Sequence, residues 1–265
     1  MRRDYLFWGT VLILLGGLMF LNSAGIRLPG GIHPMNLFWP SVLILLGVWI
    51  MAGYFLRGSV DTEQVSIDLQ GANQASLKLS HGAGRIVLGA GASPGQLLTG
   101  SVAGGVKQSA HLTSDKLKAH IEARPFFFPP FIGGWSGLEW NFHLNRDIPL
   151  TLRLETGASQ SELDLQDLHV TDLKVSTGAS KTEITLPANA GETTVRVELG
   201  AASLDMVVPD GVAARIRSEH GVAAVVVDTA RFPYSNGIYE SADYSSAQNK
   251  ADIKIEAGAG KVAIH

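Results

Sequence analysis

Leu152-Arg153-Leu154-Glu155-Thr156-Gly157-Ala158-Ser159-Gln160-Ser161-Glu162-Leu163 and Leu173-Lys174-Val175-Ser176-Thr177-Gly178-Ala179-Ser180-Lys181-Thr182-Glu183-Ile184 carry one pattern twice, 21 residues apart. A glycine turn sits at the centre of each, flanked by alternating apolar and polar residues. The same turn recurs at His81-Gly82-Ala83-Gly84, Leu199-Gly200-Ala201-Ala202, His220-Gly221-Val222-Ala223 and Ala257-Gly258-Ala259-Gly260. From Gly157 to Gly221 the spacings are 21, 22 and 21. Five residues before each glycine stands Leu77, Leu152, Leu173, Val195, Ile216 or Ile253, and six after stands Leu88, Leu163, Ile184, Met206, Val227 or Ile264. Three before stands Leu79, Leu154, Val175, Val197 or Ile255, with Ser218 the one polar exception. Side chains two apart share one face of a strand, so each repeat offers an inward stripe.

A unit of about 21 residues with two short strands cannot bury that stripe alone; stacked units bury it for one another, as in a solenoid. The even spacing favours stacking over a meander of ordinary hairpins. Two physical demands suit glycine at the corner: a positive φ, or room for neighbouring rungs to approach. Ser66-Ile67-Asp68-Leu69 and Ile253-Lys254-Ile255 alternate in the same way, and no helical stripe occurs after residue 60. Residues 65–265 are thus expected to form an all-β, solenoid-like domain behind a polar linker at 57–64.

Two segments break the array. Within a predicted loop at 124–137, Arg124 to Trp135 is aromatic and prolyl, and Pro bars it from a central strand. Its Phe126, Phe127, Phe128, Phe131 and Trp135 are candidate partner or membrane contacts, against the plainer reading of a loop folded over the core. The second segment, 229–250, holds Phe232, Tyr234, Tyr239 and Tyr244 and is expected to cover an open strand edge.

The first 56 residues have a different grammar. Residues 5–21 and 37–56 are uncharged apolar runs, each near the length of helix that crosses a hydrocarbon core of ~30 Å. Leu6-Phe7-Trp8 recurs as Leu37-Phe38-Trp39, and Val11 to Gly16 recurs as Val42 to Gly47, nine identities at an offset of 31. That duplication argues for a two-helix transmembrane hairpin and against a cleaved signal peptide, for which Asn22-Ser23-Ala24 is also a poor cleavage site. Arg2, Arg3 and Arg57 flank the pair on one side and Arg27 lies between the runs. The positive-inside bias then puts both termini, and the β domain, in the cytoplasm.

Composition narrows the function. Cysteine is absent, which excludes thiolate metal sites and thiol nucleophiles. Residues 61–265 carry 17 basic against 23 acidic side chains, or −6, so no basic face for nucleic acid is expected. Gly91-Ala92-Ser93-Pro94-Gly95 has the letters of a nucleophile elbow, but Gln96-Leu97-Leu98-Thr99 reads as strand where that motif needs a helix. Eight histidines are scattered without a metal-binding spacing. His81 and His220 both precede a turn glycine and could lie near one another on one solenoid edge, yet no third ligand is apparent. Glu162, Asp164, Glu183 and Asp205 alternate with apolar residues and belong to a solvated face. No cofactor is expected. A polysaccharide-active β-solenoid enzyme is the minor alternative.

The hairpin with Leu6-Phe7-Trp8-Gly9 and Leu37-Phe38-Trp39-Pro40, followed by repeats such as Leu154-Glu155-Thr156-Gly157-Ala158-Ser159, resembles the LiaF-like family of bacterial membrane proteins. Its C-terminal β domain is also met in related toastrack and adhesin-like domains. The aromatic Pro segment has no counterpart in that resemblance. The resemblance implies a non-catalytic regulator in cell-envelope stress signalling, acting on a membrane sensor kinase, another membrane protein or itself. An outward-facing adhesin or surface scaffold is the alternative.

Overall fold

The computed structural model describes residues 2–25, 34–55, 62–124 and 138–265, with helical side chains described at 8–25 and 36–48. The chain divides into an N-terminal helical unit and a β unit. The helical unit comprises α1 (Arg2–Ser23), a 3₁₀ turn (Pro34–Leu37) and α2 (Phe38–Phe55). Among the described residues no helix is long and apolar enough to cross a membrane. Large apolar side chains stand exposed on both helices, among them Trp8, Leu12, Ile13 and Phe20 on α1 and Trp39, Leu43, Ile44 and Val48 on α2.

The β unit is built from β1 (Thr62–Asp68), β2 (Gln74–Ala90), β3 (Gln96–Ala103), β4 (Val106–Thr113), β5 (Lys116–Ala123), β6 (Glu139–Leu144), β7 (Leu150–Asp164), β8 (Val170–Thr185), β9 (Glu192–Val207), β10 (Ala213–Val227), β11 (Tyr234–Ser235), β12 (Ile238–Glu240) and β13 (Lys250–Ile264). β1 starts inside the stretch read as a linker. It does so because Val65 and Ile67 alternate into the core while pairing antiparallel with β3.

Six strands, β2, β7, β8, β9, β10 and β13, each embody one repeat. The sequence suggests two short strands per unit; instead one strand runs unbroken through the corner glycine. A straight 15-residue strand such as β7 would extend ~50 Å. Yet β8 lies parallel and in register beside it after a connection of only residues 165–169, which reach ~17 Å. The strand must therefore double back on itself, and it does so at the glycine. The pairing divides accordingly. Residues before the corners form one layer, β4-β5-β2-β7-β8-β9-β13-β10-β12-β11, and residues after them form a second, β1-β3-β6-β2-β7-β8-β9-β13-β10.

One hydrophobic core fills the space between the layers. The stripe residues read from the sequence point into it: Leu77, Leu152, Leu173, Val195, Ile216 and Ile253 ahead of the corners, Leu88, Leu163, Ile184, Met206, Val227 and Ile264 behind them. Ser218, the polar exception, is only half-buried. Residues 152 and 163 differ by an odd number, so a regular strand would show them to opposite faces. The corner resets the alternation, which is why both point inward.

The rungs do not follow chain order at the end. β13 inserts between β9 and β10, parallel to both. The segment after β10 first buries Phe232 completely, then turns back as β11 and β12. β12 pairs antiparallel with β10 at Arg215 and Ile216. Arg231 closes this end by donating to the carbonyls of Val208, Pro209 and Val212.

Candidate functional site

The corners form the most regular feature of the β unit. In register, Gly82, Gly157, Gly178, Gly200, Gly258 and Gly221 make one column down the stack. None has a positive φ; that conformation falls two residues later, at Gly84 (φ 139) and Gly260 (φ 125). Close approach is what requires glycine. A Cβ on Gly157 would lie 2.5 Å from the carbonyl oxygen of Gly82, one on Gly178 2.7 Å from that of Gly157, and one on Gly200 2.6 Å from that of Gly178. Gly258 and Gly221 meet the same obstacle at 2.8 and 2.9 Å. Gly82 begins the column and has open space where its Cβ would be.

Inside the corner a column of polar side chains runs through the first rungs. Thr156 and Ser161 are buried, and Ser159 donates to the Thr156 hydroxyl at 2.9 Å while lying 3.4 Å from Ser161. The next rung repeats this with Thr177, Ser180 and Thr182, at 2.8 and 3.3 Å. Buried hydroxyls need partners, and Thr156 and Thr177 each find theirs in the Ser three residues on. In β9 the same positions are Leu199, Ala202 and Leu204, and the polar column ends. His81 occupies the equivalent place in β2. Its ring is packed 4.3 Å from the Trp140 ring, and neither nitrogen has a hydrogen-bond partner of normal geometry. Burial pulls its pKa down to about 4, only partly opposed by the nearby backbone of Leu138 and Ala83. A Cβ on Gly84 would sit 2.7 Å from the His81 Nε2, so the glycine also makes room for the imidazole.

His81 and His220 do not meet. They occupy equivalent register positions on the first and last of the six rungs, five strand spacings or ~24 Å apart. Ser93 lies in the connection between β2 and β3, with strand rather than helix behind it. Among the described residues no three His, Asp or Glu side chains are placed to hold a metal. A shallow depression of about 270 Å³ is lined by Asn141, His143, Asp164 and Asp167 with neighbouring β2 residues. The Asp164 carboxylate there accepts the Gln166 N–H as an ordinary turn. Phe126, Phe127, Phe128, Phe131 and Trp135 lie outside the described residues.

The outer faces are covered by ion pairs between or along rungs. Lys78 meets Glu155 at 2.7 Å, Lys174 meets Glu198 at 2.6 Å, and Arg85 meets Glu162 at 2.8 Å. Lys254 bridges Glu256 and Glu219, while Arg217 pairs with Asp252. Hydrogen bonds from Lys174 and Ser176 hold the Glu198 carboxyl below its usual range, and the bond to Glu162 holds Arg85 above its own. Such pairs give each rung a lateral charge partner. The alternation of acidic and apolar residues in the sequence anticipates this solvated face but not the partners, because pairing follows register.

These features define a class: a two-layered stack of parallel bent strands, closed at the corners by glycine and laced with ion pairs on its outer faces. Residues 56–207, more than half of the chain, match the family described as the N-terminal domain of toast_rack, DUF2154, and the chain belongs to that family. A solved structure of a proposed cell adhesion protein from Clostridium sporogenes has the same fold, with a TM-score of 0.71 and 22% identity over 77% of this chain and 98% of that one. A proposed adhesin from Bacteroides fragilis aligns with a TM-score of 0.31 and 6% identity, covering 78% of this chain and 98% of that one. No curated protein matches the chain.

Proposed function

We infer that the chain is a membrane-anchored, non-catalytic regulator or scaffold of the LiaF-like kind, acting by protein contact in cell-envelope stress signalling. The observation that carries this reading is the opposition between its two kinds of surface. The helices present large apolar side chains such as Ile13 and Phe20 to their surroundings, as a lipid-facing pair does. The β unit presents paired charges and a shallow relief, as a protein-facing surface does. The uncharged runs 5–21 and 37–56 form the hairpin of this proposal, with the β unit at the cytoplasmic face. The partner is a membrane protein such as a sensor kinase, reached through the hairpin and the aromatic loop at 124–135.

A topology reporter fused after His265 tests the anchor and its side together. A cytoplasmic signal in the membrane fraction supports the reading; a signal in the soluble fraction overturns it. An external signal favours the second reading, a surface adhesin or scaffold, which the Clostridium sporogenes likeness supports. Pull-down from detergent-solubilised membranes, repeated with Phe127→Glu and Phe131→Glu and with an exchanged hairpin, tests the contact. A co-purifying partner that survives both changes would overturn the mechanism.

A further inference from the structure

The stack ends differently in its two layers. In the first, β12 covers β10 at Arg215 and Ile216. In the second, no strand among the described residues pairs with the outer edge of β10 at 222–227. The Asp228 N–H bonds the Ile264 carbonyl, towards β13. Backbone direction alternates along a strand, so the even residues here face β13. Ala223, Val225 and Val227 accordingly aim their N–H and C=O groups out of the sheet.

Natural edges are usually blunted by charge, proline or a cover. β4 carries Lys107 and His111, and β1 carries Glu63 and Asp68. Gly221-Val222-Ala223-Ala224-Val225-Val226-Val227 carries no charge and no proline. Its outward side chains are nevertheless open, with Val222 86% and Val226 53% exposed.

We propose that this edge is a self-association surface, on which β10 of a second copy adds antiparallel about a two-fold axis through Ala224. The register is self-complementary. Val222 lies opposite Val226 of the other copy, Ala223 opposite Val225, and Ala224 opposite itself. Ala223 and Val225 then exchange the outward N–H···O=C bonds, while Ala224, whose backbone faces β13, forms a close non-hydrogen-bonded pair. The surface is continuous with the ladder inside the molecule: the second layer passes from one copy into the next. So short an edge buries less than the ~1,600 Å² of a stable interface. The pairing is therefore weak in dilute solution, and a covalent trap is the means of reading it. The inference does not depend on membrane anchoring.

The chain has no cysteine, so a single introduced one reports its own contact. Full-length Ala224→Cys, in detergent micelles and in lipid vesicles, is mildly oxidised and run on a non-reducing gel beside Val207→Cys, an exposed site on β9. The directly opposed Ala224→Cys pair meets the spacing of a disulfide and forms dimer about tenfold more than the control. Val222→Cys mixed with Val226→Cys cross-links, while each alone does not. Adding Val222→Lys and Val226→Lys to Ala224→Cys abolishes the dimer, with an unchanged circular dichroism spectrum. Cross-linking of Ala224→Cys no greater than the control overturns the proposal, and means that the edge is idle or taken by another protein. Equal self-cross-linking of Val222→Cys overturns the register.

Discussion

The inner rungs of the stack and its two ends solve the same problem by different means. An inner rung such as β8 has a neighbour on each side, so its corner, stripe and charges are set by repetition. Gly178 fits beneath one rung and above the next, and Thr177, Ser180 and Thr182 satisfy one another. An end has one neighbour only and must improvise. The N-terminal end uses antiparallel strands and the buried pair Trp140 and Phe142, whose rings meet edge to face at 5.6 Å. The C-terminal end uses Phe232 and the Arg231 cap. The difference teaches that glycine in a corner is a property of having a rung alongside, not of the bend itself.

The strongest break of that comparison is at the glycines. Replacing Gly157, Gly178 and Gly200 together by alanine drives three methyl groups against backbone carbonyls, which cannot rotate away as a side chain could. Overpacking costs ~1–3 kcal/mol per site, and the sum is comparable to the whole stability of a domain. Cooperative unfolding in denaturant should be lost. Gly82→Ala, at the same register position but with open space, should leave the midpoint unchanged. A large effect at Gly82 would place the requirement in the bend.

Next in size is Phe232→Ala. The ring is fully buried and closes the C-terminal end. Its removal should cost ~3–5 kcal/mol, measured as a fall in the denaturant midpoint. Because end rungs can fray without the middle, hydrogen exchange should quicken in β10 and β13 before it does in β8. Uniform quickening would mean that the stack opens as one unit.

What was legible in the sequence follows the same division. The inward stripe, the corner column and the solvated acidic face could be read because repetition makes each visible several times. Gly200 and Gly221 are 21 residues apart, the spacing of adjacent rungs, yet β13 lies between them. Spacing measures chain length, and a five-residue connection at 208–212 reaches across two rungs as well as one. The insertion is set by which edge the last strand finds, and no residue marks it. His81 and His220 share a corner position but stand on the first and last rungs, because equivalence in the repeat fixes the register position and not the distance along the stack. The polar column was present in the letters: Thr-Gly-Ala-Ser gives way to Leu-Gly-Ala-Ala, so the partner of each buried hydroxyl departs with it. Reading that required knowing that the corner reverses the alternation.

His81 offers a third test, because it puts an ionisable group where an inner rung has a threonine. Burial lowers its pKa from 6.5 to about 4. The unfolded chain therefore binds the proton more readily between those values, and stability rises with pH across them. Its contribution is complete above about pH 6.5 and is lost as the pH falls to about 4, a span of about 3 kcal/mol. His81→Leu should flatten that part of the pH profile, read as melting temperature from pH 7 to 4. An unchanged slope would show that the imidazole takes up its proton without leaving the corner.

The smallest expected effect tests whether inner rungs are interchangeable. Thr182→Val keeps the shape and removes one hydroxyl, while Ser180 retains its 2.8 Å bond to Thr177. The loss should be ~1 kcal/mol. Converting the whole set to that of β9, with Thr177→Leu, Ser180→Ala and Thr182→Leu, removes every hydroxyl together and leaves none orphaned. Groups in one hydrogen-bonded set are not additive, so the triple change should cost less than the sum of its three single changes by denaturant titration. A triple cost equal to or above that sum would show that the two corners differ in shape as well as in polarity, and that β8 and β9 are distinct parts rather than copies.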